Sequence, residues 1–348
     1  MNILMLAPLP PPSGGIASWT LRFVKYCKKN NIPLRVVNIA IRGKRSSDES
    51  AKRNIKDEIA RTYQIISDTR KEIRKNRPDV IHFNTSCQPL GVIRDAVCAE
   101  LIPKDVPIVL HCRCNIEDQL GKNFFSLKAF RFLVKRSKKV IVLNRFSKNY
   151  VDKIDMDKAV FIPDFIDEVP DVNYHVIRPE IKEIGYVGHI EEGKGVSLIV
   201  KVAKKTPEIH YTLVGAVRDK FSKDMIPPNV SLTGRVTLDK VKQYLSKMDV
   251  FLFPSKSEGF SNALLEAMMM GVPVIASDVG ANMEMLENKG GIVIHDINAD
   301  KILLALDKIN SDSTRSLMSN WNYKKVVNFY TEEIVMKKYY SLYNLITG

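Results

Sequence analysis

Short apolar segments alternate with amphipathic segments along almost the whole chain, and this alternation restricts the fold more than any other feature. Repeated strand–helix alternation predicts βαβ units and parallel sheets. Strands are predicted at residues 2–7, 34–40, 79–83, 107–110, 140–143, 159–162, 183–187, 209–214, 230–233, 250–253, 272–276 and 291–294. In the segment after residue 50, helical spacing relates Ile55, Ile59, Tyr63, Ile66 and Ile73.

The alternation stops near the middle of the chain and then restarts. Residues 162–180 contain three prolines and no helical period, which predicts a linker. A length of 348 residues also suits two domains. We predict an N-terminal Rossmann-like α/β domain over 1–164, a linker over 165–181, a C-terminal α/β domain over 182–322, and a final helix over 323–348 that could pack back on the first domain. The two parallel sheets would face a central cleft, where open sheets bind ligands.

Positive charge is concentrated in the first half of the chain. The sequence has 53 Lys and Arg against 39 Asp and Glu, a net charge of +14. Residues 1–164 hold 31 basic and 16 acidic residues, so this half alone carries +15. Such asymmetry indicates a polyanionic partner, either nucleic acid or an anionic membrane surface. A solvated basic face without a partner is the alternative.

Secretion and membrane spanning are not expected from the sequence. No apolar run approaches the ~20 residues that cross a bilayer, and the apolar first residues are predicted to be a strand and not a signal peptide. The five cysteines have neither metal-binding nor disulfide spacing, which predicts free thiols. We therefore expect a cytoplasmic protein.

Two glycine-containing segments lie between a predicted strand and a predicted helix. In the first, Gly14-Gly15 precedes a helix, where backbone amides and the helix dipole favour an anion. The glycine pair is about equally consistent with an anion site and with a tight turn that binds no ligand. The second segment, residues 184–196, places Lys194 among glycines at a helix start, where it would meet a phosphate.

A third segment, residues 250–268, carries the strongest signal. A buried strand ends at Pro254, and a helix begins near Ser261 or Asn262, which are favourable N-cap residues whose following amides can hold a diphosphate. Glu258 precedes this helix and Glu266 lies inside it, flanked by apolar residues. A carboxylate in such surroundings needs partners such as ribose hydroxyls.

With these segments the chain resembles the retaining GT-B glycosyltransferases of family 4, most closely over residues 184–294. Glu258 and Glu266 match the family's pair of glutamates separated by seven residues. The resemblance implies that Glu258 contacts the donor sugar and that Glu266 contacts the ribose. It further implies that backbone amides near the diphosphate belong to Gly14, Gly15, Ile16, Gly188, Phe260, Ser261, Asn262 and Ala263.

Five other residues gain an implied role from the resemblance. Lys194 matches the lysine of the family's basic diphosphate pair, whereas His189 stands where arginine is usual. Arg235 and Val236 match the strand end that reads the base. His111 ends a strand where the family keeps a histidine near donor sugar and acceptor. His82, at the end of another strand, is expected to be a core residue.

The resemblance implies a retaining, metal-independent hexosyltransferase that needs no cofactor and takes a nucleoside-diphosphate sugar, UDP favoured, as donor. The basic first half suggests a lipid-linked or other saccharide acceptor at the inner face of an anionic membrane. A stripe formed by Lys128, Arg131, Lys135 and Lys138 on one predicted helix would lie on that membrane, or would simply be solvated. A nucleotide-sugar epimerase and, ranked lower, a nucleic-acid-binding protein stay as alternatives, although no nucleic-acid recognition motif is visible.

Overall fold

The computed structural model describes residues 1–11, 14–40, 55–168, 170, 175–218 and 226–348. Residues 12–13 of the first glycine segment and residues 169 and 171–174 of the predicted linker therefore lie outside the described residues. The chain forms two compact units. The first comprises Met1–Pro163 and Met336–Gly348, and the second comprises Asp164–Val335.

The first unit contains a six-stranded parallel sheet in the order β2-β1-β3-β4-β5-β6. Its strands are β1 (Ile3–Ala7), β2 (Leu34–Asn38), β3 (Val80–Thr85), β4 (Ile108–Cys112), β5 (Lys139–Val142) and β6 (Ala159–Phe161). The helices of this part are α1 (Gly15–Lys29), α2 (Ile55–Lys75), α3 (Pro89–Glu100), α4 (Ile116–Leu120), α5 (Phe124–Arg136) and α6 (Arg145–Asp152). Every residue of β1, β3 and β4 is buried, as expected for strands covered by helices on both faces.

The second unit contains another six-stranded parallel sheet, in the order β12-β11-β10-β7-β8-β9. Its strands are β7 (Glu183–Val187), β8 (His210–Val214), β9 (Val230–Leu232), β10 (Val250–Phe253), β11 (Val274–Ser277) and β12 (Gly291–Ile294). Its helices are α7 (Val196–Lys205), α8 (Leu238–Leu245), α9 (Asn262–Met269), α10 (Asn282–Leu286), α11 (Ala299–Lys308) and α12 (Asp312–Phe329), and a 3₁₀ turn covers Glu192–Lys194. All twelve predicted strands are present, which confirms the predicted fold class of two Rossmann-like α/β domains.

The C-terminal segment is divided between the units. The helix predicted over 323–348 is in fact two helices, α12 and α13 (Glu332–Thr347). The break falls at Tyr330, whose carbonyl oxygen accepts from the Ile166 backbone N–H, while the Glu332 N–H donates to the Ile166 carbonyl. Ile166 thus takes up hydrogen bonds that a continuous helix would need. Residues 336–348 belong to the first unit.

The predicted linker is structured where it is described. The Arg178 guanidinium donates to Asp249 Oδ2 at 3.0 Å, and the same carboxylate oxygen accepts from the Lys182 and Glu183 backbone amides. Asp249 is almost fully buried. The end of the predicted linker is therefore fixed to the second unit at the start of β7.

Helix α2 buries a different face from the one that the spacing suggested. Ile59 is 65% exposed and Tyr63 is 75% exposed, whereas Ile65 is buried. Ile66 and Ile73 pack on the core beside it. The fully buried positions are Ile65 and Thr69, which the predicted set lacks, whereas Ile66 and Ile73 of that set are half-buried. The helix is therefore rotated relative to the predicted face. None of the helices in the described ranges is long and apolar enough to cross a membrane.

Candidate active site

The order of the second sheet changes direction between β7 and β10, which are neighbours. β8 and β9 follow on one side, and β11 and β12 follow on the other. In open parallel sheets, ligands bind outside the carboxyl ends of the strands at such a switch point. The segments that follow β7 and β10 hold two of the predicted site residues, Lys194 and Glu258.

Lys194 and Glu258 form an ion pair that joins these two segments. Lys194 Nζ donates to Glu258 Oε1 at 2.7 Å, and the side chains are 27% and 12% exposed. Beside this pair the Lys256 backbone N–H donates to the Gly193 carbonyl oxygen at 3.1 Å. The structure thus brings the predicted diphosphate-binding lysine into contact with the predicted sugar-binding glutamate, 64 positions apart in the sequence.

Two glycines allow the segments around this pair to approach closely. Gly195 has a φ of +72°, and a Cβ there would lie 2.0 Å from the Pro254 carbonyl oxygen. Gly280 has a φ of +55°, and a Cβ there would lie 2.6 Å from the Glu258 carbonyl oxygen. Both the backbone angle and the available space require glycine at these two positions. The position of the Lys194–Glu258 pair therefore depends on backbone packing as well as on charge.

Tyr186 stabilises the turn after β7 from the buried side. Its hydroxyl donates to the His189 carbonyl oxygen at 2.9 Å, and its ring stacks on Phe253 with centroids 6.3 Å apart. Burial raises the pKa of the Tyr186 phenol, and the Glu258 carboxylate raises it further. Tyr186 therefore stays neutral and keeps its proton for the bond to the turn that contains Gly188.

Helix α9 begins directly after the Glu258 segment. Its N-cap residue Ser261 has extended backbone, and its hydroxyl accepts from the Leu264 N–H at 3.2 Å. Phe260 is buried with its ring centroid 5.6 Å from that of Tyr330. Asn262 and Ala263 form the partly exposed first turn, and the partly buried Glu266 lies in the next turn. Four of the predicted amide-donating residues, Phe260, Ser261, Asn262 and Ala263, thus lie at one helix N-terminus, where the helix dipole favours an anion.

Three further predicted residues of the second unit also follow the carboxyl ends of strands in this sheet, namely His189, Arg235 and Val236. His189 is exposed and directly follows the turn after β7. The exposed Arg235 and the half-buried Val236 follow β9, which is two strands away from β7 in the sheet. The structure therefore gathers Lys194, Glu258 and the start of α9, with Arg235 and Val236 at a separate position along the edge.

In the first unit the glycine pair lies at the start of α1. Gly14 has extended backbone, and the helix begins at Gly15. Both glycines are exposed and Ile16 is half-buried. One turn later, the Trp19 side chain is fully buried.

His111, the predicted catalytic residue of the first unit, is fully buried. Its Nδ1 lies 3.2 Å from His82 Nε2, and its Nε2 lies 3.3 Å from the Arg113 guanidinium. The Trp19 ring meets it edge-on with centroids 5.2 Å apart. Burial lowers the pKa of His111 well below its usual value, and the Arg113 charge lowers it further. His111 is therefore neutral at neutral pH.

His82 is a core residue, as expected. It is fully buried, and its Nδ1 lies 2.5 Å from Tyr343 Oη on α13. Burial lowers the pKa of His82 to about 3, so this histidine is also neutral. Within the first unit, His82 connects the strand end that carries His111 to the C-terminal helix.

The sequence interpretation missed Tyr186, Trp19 and Arg113, although each lies close in sequence to a predicted site residue. Tyr186 and Arg113 are each two positions from a predicted residue, Gly188 and His111. In a strand, residues two apart point to the same face. Trp19 lies four positions after Gly15, on the same face of α1. From the sequence, these three residues could have been identified by their spacing from the predicted site residues.

One Asp-x-Asp triplet, Asp155-Met156-Asp157, falls in the turn between α6 and β6. This turn lies at the amino-terminal edge of the first sheet, away from the strand ends described above, and Asp155 pairs there with Lys158. Among the residues that the structure describes, no group of three or more His, Cys, Asp or Glu is arranged to hold a metal ion.

Two family models match adjacent parts of the chain. Residues 13–169 match the model described as Glycosyltransferase Family 4. Residues 172–325 match the model described as Glycosyl transferases group 1. The first model covers most of the first unit, and the second covers the sheet that carries the Lys194–Glu258 pair.

Individual relatives agree with these matches. The capsular polysaccharide biosynthesis glycosyltransferase CapM of Staphylococcus aureus is 29% identical over 184 residues, which are 49% of this chain and 48% of CapM. The matched segment thus spans about half of that relative. Sucrose-phosphate synthase from Thermosynechococcus elongatus has a TM-score of 0.76 at 14% identity and covers 99% of both chains. Anabaena HepE in complex with UDP has a TM-score of 0.72 at 14% identity and covers 98% of this chain and 99% of its own. At these identities the two structures show a shared fold.

Proposed function

The chain belongs to the GT-B glycosyltransferases of family 4, and we propose that it moves a hexose from a nucleoside-diphosphate sugar to an acceptor hydroxyl with retention of configuration. UDP is the favoured nucleotide, because a structural relative, HepE, was solved with UDP. The observation that carries this proposal is the partly buried Lys194–Glu258 pair beside the N-terminus of α9. Such a place offers a cation, a carboxylate and backbone amides to one ligand.

Each group has a proposed task in the second unit. Lys194 Nζ turns from Glu258 towards the diphosphate, and the Glu258 carboxylate then accepts hydrogen bonds from sugar hydroxyls. Glu266 binds the ribose, and the Val236 backbone reads the base. The backbone amides that hold the sugar and diphosphate belong to Gly188, Phe260, Ser261, Asn262 and Ala263, with His189 and Arg235 as further donors. In the first unit, the amides of Gly14, Gly15 and Ile16 are the proposed anion-binding groups.

The proposed reaction proceeds on one face of the sugar through an oxocarbenium-like transition state. The bond from the anomeric carbon to the diphosphate oxygen breaks, and the acceptor oxygen attacks from the same side. The acceptor's proton passes to the departing phosphate oxygen. Lys194 and the α9 amides stabilise the charge that develops on this oxygen, without a metal ion. Glu258 orients the sugar and forms no covalent bond, while His111 helps to hold sugar and acceptor.

For the acceptor we propose a lipid-linked saccharide of envelope polysaccharide or glycolipid assembly, used at the inner face of the membrane. The capsular relative CapM supports this class. Lys128, Arg131 and Lys135 are exposed along α5, and Lys138 is exposed just after its end. At the start of the same helix, Phe124 and Phe125 are each 69% exposed. Aromatic side chains beside a basic stripe fit a peripheral contact with anionic lipid.

A donor panel tests the proposal. UDP-, GDP-, ADP- and TDP-sugars are compared by thermal unfolding, since a ligand at ~100 times its Kd stabilises by about 2.7 kcal/mol. We expect UDP-sugars to stabilise most. The anomeric configuration of the product is then determined by NMR, in the presence and absence of EDTA. An inverted product or EDTA-sensitive turnover would refute the mechanism, and donor conversion without any acceptor would indicate an epimerase.

A further inference from the structure

Two ion pairs with reversed charges join the segments that follow β7 and β10. In one pair, Lys194 of the first segment binds Glu258 of the second. In the other pair, Lys256 Nζ of the second segment donates to Glu192 Oε1 of the first at 2.7 Å. The Lys256 backbone N–H also donates to the carbonyl oxygen of Gly193, which lies between Glu192 and Lys194 in the sequence. Each segment thus contributes one cation and one anion to the same junction.

The two pairs differ in their access to water. The side chains of Lys256 and Glu192 are 56% and 63% exposed, whereas those of Lys194 and Glu258 are 27% and 12% exposed. Water readily replaces a lost partner at an exposed pair, which is why such pairs contribute little. A carboxylate that is mostly shielded from water needs a hydrogen-bond donor from the protein or from a ligand. Separation of Lys194 from Glu258 is therefore the costlier of the two.

Glu258 depends on Lys194 for its ion pair. Among the residues that the structure describes, Lys194 is the one cation paired with this carboxylate. The Tyr186 hydroxyl, which lies close enough for the Glu258 charge to raise its pKa, donates to the His189 carbonyl oxygen instead. The backbone of Glu258 is packed against Gly280. A ligand that takes Lys194 must therefore bring its own donors to Glu258, or leave the carboxylate without its cation.

We propose that the Lys194–Glu258 pair makes this site distinguish a nucleotide-sugar from the nucleoside diphosphate that remains after transfer. This inference rests on the proposed function, which assigns the diphosphate to Lys194 and the sugar to Glu258. A nucleotide-sugar offers phosphate oxygens to Lys194 and hydroxyl groups to Glu258, so each member of the pair exchanges one partner for another. A nucleoside diphosphate offers only the first, because it has no sugar on its β-phosphate.

The consequence is a competition that begins once the sugar has been transferred. Glu258 then loses its hydroxyl partners and competes with the product diphosphate for Lys194. The return of Lys194 to Glu258 weakens the binding of the product, so the pair that accepts the donor also promotes product release. Specificity of this kind is a difference between two affinities, and the carboxylate lowers the affinity for the product.

The test measures the affinity of the full chain for UDP and for UDP-glucose by isothermal titration at constant ionic strength. Glu258→Gln removes the charge and nearly keeps the shape of the side chain. We expect this variant to bind UDP about tenfold more tightly than the unmodified protein, because Lys194 no longer has a charged competitor. Its affinity for UDP-glucose should rise less, since an amide accepts fewer hydrogen bonds from the sugar than a carboxylate. A glutamate that only binds sugar would leave the affinity for UDP unchanged.

Two further substitutions show whether the effect acts through Lys194. Glu192→Gln makes the same change of charge in the exposed pair, and it should leave the affinity for UDP within about twofold of the unmodified value. Lys194→Gln should weaken UDP binding, and adding Glu258→Gln to it should have no further effect on UDP. Melting temperatures verify that all these variants fold.

Equal affinities of the unmodified protein and Glu258→Gln for UDP overturn the inference and leave the proposed transferase intact. A tightening that persists without Lys194 also overturns it, because it would show simple repulsion between Glu258 and the diphosphate. Failure of the unmodified protein to bind either UDP or UDP-glucose would contradict the proposed function instead. Inorganic pyrophosphate then tests the pair alone, since tighter binding by Glu258→Gln would support competition for Lys194 and equal binding would reject it.

Discussion

The two sheets end in different chemistry at their carboxyl edges. In the first unit, two buried neutral histidines lie among aromatic rings, and they are linked by hydrogen bonds from Arg113 to Tyr343. In the second unit, a partly exposed ion pair lies between segments held close by glycines. The first edge is fixed by burial, whereas the second depends on charges that a ligand can reach. The same sheet architecture therefore supports a buried neutral edge in one unit and a partly exposed charged edge in the other.

The largest effect expected from this difference concerns the two glutamates of the second unit. Glu258→Ala should reduce turnover by about 100- to 1,000-fold, the cost of removing one polar contact to a transition state. The variant should keep at least most of the nucleotide affinity, because the proposed partner of Glu258 is the sugar. Glu266→Ala should weaken nucleoside-diphosphate binding by about 1–3 kcal/mol. Initial rates measure the turnover of both variants, and calorimetry measures their affinity for the nucleoside diphosphate. Glu208→Ala, on the surface of the same unit, is the control. Full activity in Glu258→Ala would refute its assignment.

A second test concerns the glycines of the charged edge. Gly195→Ala places a Cβ against the Pro254 carbonyl oxygen at a left-handed φ, so it should destabilise the second unit by about 2 kcal/mol. Gly193→Ala is a matched control, because a Cβ there meets nothing within 4 Å. The chain has two tryptophans, Trp19 in the first unit and Trp321 in the second. Urea unfolding in a Trp19→Phe background therefore reports the second unit alone. Equal unfolding of both alanine variants would contradict the packing argument.

A third test acts on the buried edge through pH. Unfolded histidine has a pKa near 6.5, whereas burial lowers the pKa of His82 to about 3 and that of His111 well below its usual value. Below pH 6.5 the unfolded chain binds protons that the folded chain refuses. The free energy of unfolding should therefore fall on acidification by up to about 1.4 kcal/mol per pH unit for each histidine.

The free energy of unfolding of the first unit is measured at pH 7, 6 and 5 by Trp19 fluorescence in a Trp321→Phe background. His82→Asn should flatten the pH dependence, and His210→Asn in the second unit should not. A free energy of unfolding that stays constant from pH 7 to pH 5 would show that the two rings take up protons in the folded state.

A fourth test addresses the surface charge, which also differs between the units. Reversing Lys128, Arg131, Lys135 and Lys138 should weaken binding to anionic liposomes by about tenfold or more, because each basic residue close to a membrane contributes about 1 kcal/mol. Added salt should weaken the binding of the unmodified protein too. The control reverses four exposed lysines of the second unit, namely Lys201, Lys204, Lys240 and Lys308. Sedimentation that is equal for both reversed variants would leave the α5 stripe as a solvated face.

The smallest effect concerns His189, whose side chain is exposed beside the turn after β7. Histidine loses its charge between pH 6 and pH 8, whereas arginine keeps its charge. His189→Arg should therefore retain or improve donor affinity by a few-fold at pH 8 and change it little at pH 6. Calorimetric titration at both pH values measures this. Loss of binding at both would mean that His189 has another role or that a longer side chain does not fit.

Strand positions were predictable from the sequence because buried parallel strands are continuous apolar runs. The predicted bounds of β7, β10 and β12 agree with the structure, and the other strands differ by one or two residues at one or both ends. Helix faces were less predictable. In α2, Ile59 and Tyr63 share the helical spacing of buried residues but are exposed, because position 65 and not position 63 faces the sheet. The spacing of apolar residues shows that a segment is helical. Which face of that helix is buried depends on how the helix packs on the sheet.

The sequence predicted which segments contribute to the candidate site, but not which side chains meet there. The glycines, Lys194 and Glu258 were identified singly, but no local pattern indicates that a side chain after β7 pairs with one after β10. That contact follows from the order of the strands, which brings β7 beside β10. The chain of hydrogen bonds His111–His82–Tyr343 could not be predicted for the same reason, since its members come from two strands and from the C-terminal helix. The break at Tyr330 also depends on a distant residue, Ile166.

The first unit is built from two separate stretches of chain, with the whole second unit between them. During synthesis, residues 164–335 therefore leave the ribosome before the helix that completes the first core. Until Tyr343 emerges, His82 lacks its phenol partner and the aromatic rings around it lack a cover. A nascent chain would therefore hold a completed second unit while the core of its first unit is still open on the side that residues 336–348 cover.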